Sequence, residues 1–428
     1  PGDIPISIEV WDEDGGLCFG DEHYDASPDG NKAIAGFVRI SPCVVAVSGN
    51  NLPCDSANTL AGTDSDRAEV RFRVQVEEPP STTGLNIRCT HSPLWPDPGE
   101  AVTVRAEALD GALSPRIVEQ LDIWVQPDTA NTVTRSRPVS TPGVSQVTHV
   151  FTPPAGQSDF AYGCRAKRDA DAVFSGYRTA TVGNPGGDVV PVIYTGPRAS
   201  RIDIVFIADR DSYNAVDNNQ FLTDAATVVS TSYYGFKEFL AGQDKFNFWI
   251  AQRQGRADDS NDGSCDHDLP SEWDDDFAFA DAGAILHRKN QRDCALHGDR
   301  IFSGIVDPNV RGDALQVVTH ETGHQPFGLA DEYCCDGGYF QQDVAPNIYT
   351  EIADCRDDLG ELLRVGLPCR EWHETIDGWF DPDYYTSEPG DVTAGVVNDD
   401  LMNDNGPAQA ADIRRFNLTF GACARAGC

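Results

Sequence analysis

The chain has 428 residues, 40% of them hydrophobic, with a formal net charge of −36 and a sequence pI near 4.3. That length predicts two to four domains with true cores. The acidic balance excludes nucleic acid as a partner and argues against an anionic membrane surface. No apolar run reaches the roughly 18 residues of a membrane span, so no transmembrane helix is expected. The start at Pro1, without Met or a signal peptide, reads as a mature form or a fragment. Only five of the 32 basic residues are lysine, a composition that fits a salt-tolerant or GC-rich bacterial source.

In chain order, residues 1–78 read as β, with strand-like alternation in Ile6–Trp11, Ile34–Ile40 and Ala68–Val76. Asp12, Asp14, Asp21, Glu22 and Asp25 cluster between the first two strands, and carboxylates on a loop at a strand end can cage calcium. The cluster resembles the calcium loops of C2-like β-sandwiches; a plain solvated acidic loop is the competing reading. A linker at Glu77–Gly84 follows. Residues 86–183 read as an immunoglobulin-like β-sandwich. Trp124 lies on a central strand, and Tyr162-Gly163-Cys164 has tyrosine-corner spacing. Cys89 is the one partner for Cys164 in that domain, and it falls on the first strand, so a bridge between them is expected to depart from the usual inter-sheet one. A second linker is read at Gly183–Pro191.

From about residue 190 to 428, strand and helix alternate. Strands are predicted at 202–208, 246–252, near 283–288 and near 301–306, with a helical region at 218–240. The next helix carries His320-Glu321-Thr322-Gly323-His324. Two histidines four apart on a helix point the same way and can share one metal ion. Zinc in a hydrolytic site takes three protein ligands and lowers the pKa of its water to about 7, and Glu321 is placed to accept the proton. Asp313 is the expected N-cap, with Gln316 completing a capping box. Pro326 and Gly328 should end the helix and reverse the chain. In the metzincin signature a ligand follows the turn glycine by three residues, which selects Asp331 here, with Glu332 as the alternative. Met402, the single methionine, sits downstream in a polar, turn-rich segment and reads as a Met-turn. Arg311-Gly312-Asp313 spells an adhesion tripeptide but is discounted, because Asp313 already has a role at the helix entry. His373, beside Trp372, is the remaining histidine with a cleft-like setting.

The stretch His320–Tyr333 resembles the signature of the IgA-peptidase family of metzincins (peptidase family M64), HExGHxxxGLxDEY. Arg201–Asp209 and Lys245–Gln252 resemble that family's first two strands. The resemblance covers residues 196–428 and implies an α/β metzincin-like domain, zinc, endopeptidase activity and secretion. It maps the metal ligands onto His320, His324 and Asp331 and the base onto Glu321. Pro326 and the Cys334-Cys335 pair depart from the pattern.

Thirteen cysteines without metal-type spacing predict disulfides and an oxidising, extracellular setting. Parity keeps the bridges within domains, and closeness in sequence then pairs Cys43–Cys54, Cys265–Cys294 and Cys423–Cys428 beside Cys89–Cys164, with Cys334 and Cys335 each bonded to one of Cys355 and Cys369. Cys18 is left over: free, bonded to an upstream segment, or bonded to another chain in an assembly. Each bridge contributes on the order of 2–4 kcal/mol. The expected function is a secreted zinc endopeptidase acting on a protein or peptide. The alternative is a non-enzymatic surface or fibre subunit that retains the fold. A latent protease capped by a free thiolate is a third reading.

Overall fold

The structure is a computed structural model. It describes residues 84–127, 136–258, 260, 265–296, 298–331, 346–349, 351–359, 369–372, 375–376, 379–380, 384–386 and 401–424, and the strand backbones of the first 72 residues. Two compact units emerge, one of residues 1–80 with 129–133, the other of residues 81–128 with 134–428.

The first unit is β. Strands β1 (Ile4–Glu9), β4 (Ala33–Ile40), β5 (Cys43–Val47) and β6 (Asn50–Pro53) form one antiparallel sheet in the order β1-β4-β5-β6. Two ribbons pair β2 (Trp11–Asp12) with β3 (Glu22–His23), and β7 (Asn58–Ala61) with β8 (Glu69–Phe72). The β2–β3 register sets Asp12 opposite Glu22. The other calcium candidates, Asp14, Asp21 and Asp25, lie outside the described residues, as do Cys18 and Cys54.

The second unit opens with a sandwich. One sheet holds β9 (Asn86–Ser92), β10 (Val102–Leu109) and β13 (Gln146–Phe151) in the order β13-β10-β9. The other holds β11 (Gln120–Pro127), β12 (Ser136–Thr141), β14 (Asp159–Arg168), β15 (Asp171–Phe174) and β16 (Arg178–Thr181). Alternating residues such as Val102, Val104, Ala106, Ile123, Phe160 and Tyr162 meet in a closed core. Cys89 on β9 bonds Cys164 on β14, so the bridge crosses between the two sheets although it starts on the first strand. Tyr162 makes no tyrosine corner: its hydroxyl bonds the buried His91 ring at 2.7 Å. Trp124 packs edge-on against Phe174.

A six-stranded sheet follows, in the order β17-β19-β18-β20-β22-β21. Its strands are β17 (Val189–Ile193), β18 (Ile202–Ala208), β19 (Phe246–Ala251), β20 (Ala282–His287), β21 (Ala295–Leu296) and β22 (Ile301–Ile305). The inner four run parallel, and the two edge strands run antiparallel to their neighbours. Every residue of β18, β19, β20 and β22 is buried, which explains their near-continuous apolar runs. One face is covered by α1 (Asn219–Thr227), a π-helix (Val228–Tyr233), α2 (Lys237–Ala241), α4 (Ala314–His324) and α7 (Ala410–Ala424), around Phe206, Phe239, Phe248 and Phe416. The other face is capped by the turn α3 (Trp273–Asp276). Two further helices, α5 (Ile352–Leu359) and α6 (Leu401–Asp404), complete the described elements used below. The chain is thus β-rich and built from several sheets.

The Gly183–Pro191 segment is not a free linker. Gly183 N–H donates to the Pro96 carbonyl at 2.8 Å, and the chain then enters the sheet as β17, paired to β19. Sandwich and six-stranded sheet share a polar joint around Arg178, which is 1% exposed. Its Nη1 donates to the Cys89 carbonyl (3.0 Å) and the Tyr234 hydroxyl (3.1 Å), and its Nη2 to Gln243 Oε1 (3.0 Å) and the Ser175 carbonyl. Gln243 in turn donates to the Ile87 carbonyl at 2.7 Å.

The cysteine pairing is corrected at one point. Cys355 and Cys369 bond each other, closing a short loop, so neither is available to Cys334 or Cys335. Loop-closure entropy favours this 14-residue closure over the longer expected pairings, by about 0.3 kcal/mol against the shortest of them. Cys265–Cys294 is formed, and Cys423 is disulfide-bonded. Cys334, Cys335 and Cys428 lie outside the described residues. No helix among the described residues is long and apolar enough to cross a membrane.

Candidate metal centre

Helix α4 lies against β22 and the π-helix. Ser232 donates from its hydroxyl to the Leu315 carbonyl (2.7 Å), and the Tyr233 hydroxyl meets Thr322 Oγ1 at 3.0 Å. Asp313 occupies the N-cap position but makes no side-chain cap bond. Its carboxylate instead accepts from Arg311 Nε (2.9 Å) and Asn405 Nδ2 (3.2 Å), so the expected capping box is absent. The charged guanidinium outcompetes a backbone N–H for that oxygen.

The helix stops at His324, and Gly328 takes the left-handed conformation at φ +72°. Gly328 N–H donates to the His324 carbonyl (2.9 Å) and Leu329 N–H to the Gly323 carbonyl (3.0 Å), folding the chain back on the helix end. The intervening Phe327 is wholly buried among Phe239 and Phe416, and Arg415 Nε holds its carbonyl at 2.6 Å. Asn347, also fully buried, donates to the Ala330 carbonyl (2.8 Å) and accepts from Ala330 N–H (2.9 Å). The next residue, Asp331, is thereby fixed.

Its Oδ1 stands 3.0 Å from His320 Nε2 and 3.1 Å from His324 Nε2. His320 Nδ1 lies 2.8 Å from the Leu401 carbonyl oxygen and His324 Nδ1 lies 2.7 Å from that of Leu329. A carbonyl only accepts, so each Nδ1 carries a proton and each Nε2 is the atom turned toward Asp331. Two imidazole nitrogens and a carboxylate oxygen converging on one point suit a shared cation, either a proton or a metal ion. Ligands around tetrahedral zinc, at roughly 2.0–2.2 Å from the metal, stand about 3.3 Å apart. The observed separations are close to that, and the donor set of two imidazoles and a carboxylate suits zinc.

Protons compete for the same point. Burial alone would lower the His324 pKa, but the Asp331 carboxylate outweighs it and lifts the value to about 9. Burial likewise pushes Asp331 up, and the two imidazoles override it to hold the carboxyl far below its usual range. A metal ion bound there would have to displace the proton from His324. Glu321 is 5% exposed, and its Oε2 makes no hydrogen bond among the described residues. Burial raises its pKa to about 7, against the pull of His320 and His324.

Met402 is fully buried on α6, one residue after the carbonyl that orients His320. A Cβ on Gly323 would come within 2.6 Å of its sulfur, so the thioether packs against the helix between the two histidines. Glu332 and His373 lie outside the described residues. Sequence reasoning missed Asn347 and the Leu401 and Leu329 carbonyls. A second trio, Cys265, His267 and Cys294, also has its donor atoms close together. Its sulfurs are joined in a disulfide, and His267 Nε2 is 3.1 Å from the Cys294 carbonyl, so that trio is a bridge with an imidazole laid on it rather than a metal cage.

No family model and no curated protein matches this chain. Among solved structures it is similar to a cycloisomaltooligosaccharide glucanotransferase of Paenibacillus sp., complexed with cycloisomaltoheptaose, at 13% identity and a TM-score of 0.18. That match covers 72% of this chain, which spans about a third (34%) of the length of the glucanotransferase. A superposition this loose carries no argument about fold or activity.

Proposed function

We propose that the chain is an extracellular zinc-dependent endopeptidase, with residues 196–428 forming a metzincin-like domain similar to the IgA-peptidase family. One observation carries the reading: His320 Nε2, His324 Nε2 and Asp331 Oδ1 converge while both Nδ1 protons are committed to backbone carbonyls. Such orientation by outer partners is what metal-ligating histidines require. Zinc held there would supply a Lewis acid and water of pKa about 7. Glu321 is the proton acceptor: its carboxylate is buried beside both imidazoles, and its affinity for protons in the metal-free site is already near neutrality. It then passes the proton to the leaving amine. Met402 supports the floor of the site, and the disulfides fit an extracellular setting.

The test pairs elemental analysis for zinc with digestion of casein. Wild-type protein should hold one zinc and cleave. Glu321→Gln should keep the zinc and lose about 10²–10⁴-fold in rate, the usual contribution of a general base. Near-wild-type cleavage by that variant refutes the mechanism. Zinc without cleavage in the wild type favours the non-enzymatic surface subunit.

A further inference from the structure

A groove of about 1190 Å³ runs between the β13-β10-β9 sheet of the sandwich and the α1–π-helix layer. Its floor is a polar grid set by strand register. Thr90 and Thr148 flank Arg105 in one row, and Arg88 and Gln146 flank Glu107 in the next. Its wall is one face of α1 and the π-helix, carrying Asn219, Leu222, Thr223, Ala226, Thr227 and Ser230 at helical spacing, with no charge among them. Trp95 also lines the groove, half-buried, with part of its ring packed against the hydrophobic core and its Nε1 held by a 2.8 Å bond to the Gly183 carbonyl.

We propose that this groove is a carbohydrate-binding site that takes a neutral oligosaccharide, with Trp95 as its stacking platform. Sugars offer hydroxyl edges and flat C–H faces, and the lining answers both. The Thr223, Thr227 and Ser230 hydroxyls on the wall spend their protons on carbonyls about one turn back, at 2.7, 2.9 and 3.2 Å, which leaves their oxygens as acceptors. Arg105 and Gln146 on the floor supply donors. Arg88 and Arg105 share the Glu107 carboxylate, and Asp97, Glu100 and Asp217 add further negative charge to the lining. That balance disfavours an acidic ligand. A peptide is disfavoured for a different reason: the floor is a sheet face rather than a sheet edge, so no backbone ladder can be added. The volume exceeds the roughly 300–1,000 Å³ of small-molecule pockets, which fits a chain of rings.

The test screens the full chain against arrayed neutral oligomers of hexose and of N-acetylhexosamine, sialylated oligosaccharides and casein peptides, followed by calorimetry with the best neutral oligomer. Neutral oligosaccharides should bind. Trp95→Ala should weaken them about tenfold, matching loss of an aromatic contact, and Trp95→Tyr should retain most of the affinity. Thr227→Glu, on a half-exposed wall position, should abolish binding while the melting temperature stays unchanged, which guards against unfolding of the Trp95 variant. Glu321→Gln should bind as wild type does, so this result stands apart from the fate of the metal site. Binding of only sialylated sugars or of only peptides, no binding at all, or binding indifferent to both Trp95→Ala and Thr227→Glu would overturn the proposal.

Discussion

Gly323→Ala probes how the metal helix rests on Met402. The added methyl would stand 2.6 Å from the Met402 sulfur and 3.4 Å from Leu329 Cδ1. Ordinary contacts lie at about 3.5–4.0 Å, so the thioether must retreat by about 1 Å. Overpacking of that kind costs about 1–3 kcal/mol, and the gain in helix propensity returns about 1 kcal/mol. Met402→Ala alone should cost about 2–5 kcal/mol, because the side chain is fully buried. In the double variant the clash is gone and only the propensity gain remains. The two changes should therefore couple by about 1–3 kcal/mol, the double variant being more stable than the sum of the singles predicts. The same displacement moves Leu401, whose carbonyl accepts the His320 Nδ1 proton at 2.8 Å. Zinc affinity should fall about 10–100-fold in Gly323→Ala, and that effect should vanish when residue 402 is alanine. Denaturant titrations of the four proteins, with zinc competition against a chelating indicator, measure both quantities. Additivity within about 0.5 kcal/mol, together with unchanged zinc affinity, would refute the packing argument.

Three more outcomes are expected. Asp331→Ala should lose most of its zinc by elemental analysis while Glu332→Ala keeps it; the reverse ranking would transfer the third ligand to Glu332. His91 is held near pKa 4 by burial, against an unfolded value of about 6.5, so the unfolded chain binds the extra proton between those values. The His91 contribution to stability is therefore full above pH 6.5 and is lost, by about 3 kcal/mol, as pH falls to 4. His91→Gln should remove that slope relative to wild type, and identical slopes in chemical denaturation would exclude His91 as its source. Arg178→Met leaves the Cys89 and Ser175 carbonyls and Gln243 Oε1 without their donor at the buried joint, a loss on the order of 3 kcal/mol or more. It should split the thermal transition in two, and a single transition at the wild-type temperature would count against the joint.

What the sequence reveals of the site follows from the range of its signals. His320, Glu321 and His324 are legible because a helix converts a spacing of four into a shared face. Asp331 is legible because a left-handed glycine must sit at the turn, and Gly328 does. The Leu401 carbonyl is not legible: any residue has one, and it arrives 81 positions away. Asn347 is hidden for the same reason, since a lone amide clamps Ala330 without any pattern around it. The strands at 202–208, 246–251, 282–287 and 301–305 stand where apolar runs place them. The Gly183–Pro191 stretch misleads because glycine and proline mark an edge strand as readily as a linker.

That edge strand has a consequence for the protein's solubility. Phe246-Asn247-Phe248-Trp249-Ile250-Ala251 is six residues of uncharged, aromatic and aliphatic β-former without a proline, the composition that seeds cross-β stacking. One side of it is paired to β18, and the other is occupied by β17. β17 carries Pro191, which has no N–H to give, and its outer edge is met by Thr179, which exchanges two 2.8 Å bonds with Tyr194, and by the Thr181 hydroxyl on the Pro191 carbonyl, so this edge is closed to a further strand. A chain trimmed to begin after residue 195 would keep the metal helix but lose this guard. It would present an unpaired ladder to its neighbours, and should form fibrils or inclusion bodies more readily than the longer chain.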